Sequence, residues 1–142
     1  MQKKNKNGQV STEYLIIVGF VTFVVIAVIG IAFFYSGATK DRIKMTQVNN
    51  FANKIISTSE SVFYAGEPSK STISAYLPEN VKDIEIDNYN LIIEFQTYSG
   101  LNVIGFPSKV NLSEGPNPLT TVPGIKKIEI RAEQNYVVIN AA

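Results

Sequence analysis

The 142-residue chain contains no cysteine, no histidine and no tryptophan. Without cysteine there is no disulfide framework, so stability outside a cell has to come from packing or assembly. Without histidine or cysteine a zinc site would need carboxylates alone, which is unusual, and the commonest general base is missing. The sequence holds no glycine-rich phosphate loop, no G-x-S-x-G and no H-E-x-x-H. These gaps weigh against an enzyme and imply no metal and no cofactor. An excess of one charge is lacking too. Against 13 Lys+Arg stand 12 Asp+Glu, whereas a nucleic-acid binder would carry a basic stripe.

What the chain does have is one long apolar run. Tyr14 to Tyr35 reads YLIIVGFVTFVVIAVIGIAFFY, 22 residues without a charge. About 20 apolar residues span a bilayer core, and a core helix of a small soluble protein would keep a polar face that this run does not have. Its many Val and Ile residues lower helix propensity in water, but in lipid the backbone must satisfy itself, so a helix is expected. Gly19 and Gly30 interrupt the run without making a GxxxG pair. Lys3, Lys4 and Lys6 precede the run, while Lys40, Arg42 and Lys44 follow it, so the positive-inside rule gives little help with orientation. The short leader favours an inside N-terminus, with the larger C-terminal part crossing. A secretory signal would be cleaved after its apolar region; here the polar motif lies before it.

That motif is Gly8-Gln9-Val10-Ser11-Thr12-Glu13, placed between the basic leader MQKKNKNG and the apolar run. It resembles the class III signal peptide of archaeal type IV pilin-like proteins: a basic leader ending in Gly, then Gln-x-Ser-x-Glu, then an apolar helix. The resemblance covers roughly the first 35 residues and matches every specified position. Bacterial Flp-type pilins share a Glu-Tyr pair near the cleavage site, like Glu13-Tyr14, but usually lack a head of this size. The resemblance implies a prepilin peptidase that cuts between Gly8 and Gln9, leaving Gln9 as the first residue of the mature chain. It also implies that Glu13 pairs with a subunit's new α-amino group in the assembly. A close partner offsets much of the cost of burying a carboxylate. Without the flanking motif, Glu13 reads first as an ordinary boundary side chain at the headgroup level; the motif favours the pairing role. Loss of the three leader lysines would lower the formal charge from +1 to −2.

Beyond the run, helical character is expected to continue. Met45, Val48, Ala52, Ile55, Ile56, Val62 and Phe63 recur at helical spacings, with Val48, Ile55 and Val62 in a seven-residue row. Lys40, Asp41, Arg42, Lys44, Asn49, Asn50, Asn53 and Lys54 are largely off that stripe. Gly66 and Pro68 are stop signals. A helix over 9–64 would be about 80 Å long. After Ser71 the pattern changes to strands, expected at 72–77, 81–87, 91–98, 101–106, 109–112, 125–132 and 136–140. Asp87 to Asn90 and Glu133 to Asn135 read as hairpin turns. The expected class is α+β, with three parts: a leader over 1–8, a long hydrophobic then amphipathic helix over 9–64 with its span at 14–35, and a small antiparallel β-sheet head over 65–142. So small a head has little core of its own, so the helix is expected to supply much of it.

Asp83, Glu85 and Asp87 share a strand face and could be imagined as a calcium site. A solvated face, paired across the sheet with Lys127 and Arg131, is the simpler expectation. Asn111-Leu112-Ser113 is a glycosylation sequon, next to a segment from Ser113 to Gly124 that reads as a surface loop. Taken with the resemblance, the expectation is a structural pilin subunit of an archaeal surface filament. It would be inserted as a single-pass precursor, processed, and assembled by pilus machinery through its N-terminal helix. The exposed heads would serve adhesion, and no nucleic acid would be bound. The alternatives are a minor pilin that primes or caps the filament, and a membrane-anchored protein that binds an extracellular partner without polymerising.

Overall fold

A computed structural model describes residues 7–142, with side chains and their surroundings from Ser11 onward. One helix, α1 (Asn7–Ala65), is followed by seven strands. The chain divides into two compact units at Thr39/Lys40. The layout is α+β: one long N-terminal helix and a β domain rich in antiparallel pairs.

In the first unit every side chain of Tyr14–Tyr35 is exposed. Thr22, the one hydroxyl residue inside the run, donates to the carbonyl of Val18 at 2.8 Å. This back-bond satisfies the hydroxyl without any partner outside the helix.

The second unit, Lys40–Ala142, contains the end of α1 and two sheets. Strands β1 (Lys70–Leu77), β6 (Gly124–Ala132), β7 (Val137–Ala141) and β5 (Leu112–Glu114) form a four-stranded sheet in the order β1-β6-β7-β5. Strands β2 (Val81–Asp87), β3 (Asn90–Thr97) and β4 (Gly100–Pro107) form a three-stranded meander. A single antiparallel sheet was expected; there are two, and β5 pairs with β7 in parallel. The short β5 also lies later than the strand expected at 109–112. The other strands agree with the expected ranges to within two residues.

The helix ends where Gly66 adopts φ 81°, a conformation that costs glycine little, and donates its N–H to Phe63 at 3.0 Å. The buried stripe of α1 is Val48, Phe51, Ala52, Ile55, Ile56, Ser59 and Val62, the spacing that lines up one helix face. Met45, expected on the stripe, is 40% exposed, and Phe51, only 1% exposed, takes part in it instead. The stripe joins one core with Leu77, Ile128, Ile130 and Ile139 of the four-stranded sheet and Leu91, Ile93 and Phe95 of the three-stranded one. The helix is thus the core element that both sheets share. Leu119 enters the same core from the proline-rich connection between β5 and β6. That connection was expected as a surface loop, and one leucine anchors it. At its start, a Cβ on Gly115 would push aside the side chain of Asn140.

If the stripe carries both sheets, a charge placed in it should unfold the head. Val48→Asp or Ile55→Asp should each lose about 4 kcal/mol or more, because the carboxylate has no partner in the core. Denaturant melting of the full chain in detergent, read from the β signal, checks this; Asn53→Asp, on the exposed side of the helix, should melt like the parent.

Candidate functional site

The site begins with Glu13, the only charged residue between Ser11 and Thr39. Helix α1 carries it, exposed, at the edge of the apolar run. Gly8 and Gln9, the expected cleavage pair, lie outside the residues whose surroundings are described. By length and composition α1 can cross a membrane. Its apolar side chains are unburied all round, from Leu15 and Ile16 to Phe33 and Phe34. Such a surface needs cover, whether lipid or protein.

The exposed face of the same helix past Lys40 does more than meet solvent. Asp41 accepts the backbone N–H of Tyr98 at 2.8 Å on Oδ1, and on Oδ2 the hydroxyl of Ser99 at 2.9 Å and its N–H at 3.2 Å. Lys44 Nζ donates to the carbonyl of Gln96 at 2.9 Å. Together they grip the β3–β4 turn. Lys54 Nζ donates to the carbonyl of Ser74 on β1 at 2.7 Å, and Glu60 accepts the N–H of Lys109 at 3.1 Å. In sequence these residues look like an ordinary solvated helix face. Their partners lie tens of residues away, so no local pattern reveals them. The Tyr98 N–H, with Ser99 and the nearby Lys44 charge, holds the Asp41 carboxyl below the usual carboxylate range against a smaller opposing effect of burial.

The other candidates are dispersed. Asp83, Glu85 and Asp87 are exposed on β2, and no cluster of metal-ligating residues occurs among the described residues. The expected pairing of these acids with Lys127 and Arg131 does not occur, because β2 and β6 belong to different sheets. Lys70 on β1 pairs with Glu129 on β6 at 2.8 Å, and Arg131 with Glu133 just past the end of β6 at 3.1 Å. Asn111 is half-buried just before β5, its carbonyl accepting the N–H of Val137 at 2.8 Å. It is distant in sequence from Glu13 and belongs to the other unit. The chain matches no known family model, no curated protein and no solved structure.

The grip of Asp41 makes a pH-dependent latch. A carboxyl whose folded value is lowered stabilises the fold above its unfolded value, and that contribution fades as pH falls through the folded one. Amide exchange at Tyr98 and Ser99, corrected for intrinsic rates, should therefore lose protection in acid, below about pH 4. Asp41→Asn should lose much of that protection at neutral pH and show little further change in acid. Equal protection in parent and variant at neutral pH would contradict the latch.

Proposed function

We propose that this chain is a structural subunit of an archaeal type IV pilus-like surface filament. In this proposal the precursor sits in the membrane with its N-terminus inside, and a prepilin peptidase removes residues 1–8. The observation that best supports it is the fully exposed apolar helix surface behind a lone carboxylate, Glu13. In water, exposing even ten such side chains costs on the order of 15–30 kcal/mol. The helix therefore stays in lipid until neighbouring copies can cover it. Between lipid and protein there is little hydrophobic difference, so packing and polar contacts have to decide association.

Glu13 supplies the polar contact. Cleavage after Gly8 frees an α-amino group four residues ahead of it in the chain. A neighbour's amine against the Glu13 carboxylate neutralises both charges in an apolar surrounding and fixes the axial register between copies. The three lysines of the leader hold the precursor at the inner face, and their removal releases the helix. The head, with its core completed by the second half of the same helix, is then carried on the filament exterior and is available for adhesion.

Glu13→Gln tests the proposal. Gln keeps the shape and removes the charge, so insertion should be normal or easier and the Gly8-Gln9 bond should still be cut. Surface filaments per cell should fall to a small fraction of the parent while mature protein accumulates in the membrane. A normal filament count would remove the pairing role of Glu13. A chain that is processed but never enters filaments, even as the parent, would make it a membrane-anchored binding protein instead.

A further inference from the structure

The register of the three-stranded sheet defines an outer face. Leu91, Ile93 and Phe95 of β3 point into the core, opposite Ile86 and Ile84 on β2 and Phe106 and Ile104 on β4. The alternate positions form the other face: Asp83, Glu85 and Asp87 on β2, Glu94 on β3, Leu101 and Val103 on β4. None of the four acids makes an ion pair among the described residues. Leu101 and Val103 are 56% and 61% exposed. Lys82, exposed at the bulge beside Asp83, is the one basic residue of these three strands, against the four acids. The acids of this face run mainly along the β2 edge, Ile92 and Glu94 lie on the middle strand, and Leu101 and Val103 line the β4 edge.

A second surface of opposite character lies on the four-stranded side. A groove of about 390 Å³ runs between α1 and β1, with Asn50, Lys54 and Ile125 among its walls. Past Gln47 and Tyr76 it continues into a hollow of about 180 Å³ that reaches Lys40, Ile43 and Lys44. Ile43, Tyr76 and Ile125 are exposed, and Glu79 is the one acid in the lining. Lys44 turns its ammonium to Gln96, near Asp41, which leaves Lys40 and Lys54 as the groove's basic groups. The Lys54 ammonium caps the β1 edge at Ser74. Capping of this kind blocks an added strand, so the groove receives side chains.

We propose that these two surfaces bind each other in neighbouring copies, the acidic-apolar face of one head docking on the basic-apolar groove of the next. The occupant is a second copy because the two surfaces carry opposite charge, both mix that charge with exposed apolar side chains, and they share no residue. A like-for-like contact would instead bring four carboxylates against four. Docking of two different surfaces is heterologous and repeats along a line unless it closes into a ring. The proposal rests on the filament reading and names the head contact within it.

The chain has no native cysteine, so Val103→Cys and Tyr76→Cys can mark the two surfaces. The full chain is packed densely into phosphatidylcholine vesicles and treated with a short bis-maleimide. The double variant should give a ladder of dimers, trimers and higher species. A mixture of the two single variants should stop at dimers, and each single variant alone should remain monomeric. Lys40→Glu or Glu94→Lys, added to the double variant, should each diminish the ladder, and both together should return it. No ladder from the double variant, dimers from either single variant alone, or a ladder indifferent to the charge changes would overturn the contact. Filaments on cells are counted separately. Filaments without the ladder would refute the head contact alone, and a ladder without filaments would refute the filament reading alone.

Discussion

The buried stripe of α1 is the constraint on which the folded head depends. Two sheets of four and three strands face it, and no disulfide supports them. Each sheet buries its apolar face on the same helix residues, among them Phe51, Ile55 and Ile56. Polar clasps at Asp41, Lys44, Lys54 and Glu60 then fix where the strands and turns sit along that helix. A head of this size has too little core of its own to dispense with the helix. The same helix, further toward its N-terminus, has an apolar surface with no polar face at all. One continuous element thus meets two environments, and the change comes near the Thr39/Lys40 division between the units.

Much of this was legible because it is local. The uncharged run from Tyr14 to Tyr35 and the row Val48, Ile55, Val62 are periodic signals, and Gly66 ends the helix for a backbone reason. The alternation of Ile84 and Ile86 with Asp83, Glu85 and Asp87 gave the two faces of β2. It did not name the neighbouring strand, since any strand with the same alternation satisfies it. Lys127 and Arg131 therefore looked like partners of those acids although they stand in the other sheet. The parallel β5–β7 pair was hidden for a related reason. Its strands are separated in sequence by all of β6, and β5 is only three residues long.

At the candidate site the balance was different. The type of residue was readable and its task was not. Asp41 and Lys44 have the sequence signature of a solvated helix face, and only the β3–β4 turn, brought near by the fold, gives them work. Leu119 sits in a segment of prolines with no periodicity and still reaches the core. Glu13 remains the reverse case: its sequence context suggests a role, while no ion pair to it occurs among the described residues. The proposed amine comes from another copy, after a cut that creates it. In the proposal, processing thus supplies the amine on which register and assembly then depend.

Peptide mass spectrometry of filaments sheared from intact cells tests the central claim most directly. The account predicts that this chain is a filament component and that its N-terminal peptide begins at Gln9, with residues 1–8 absent. Filaments made only of other proteins, with this chain confined to membranes and still carrying Met1 to Gly8, would contradict it.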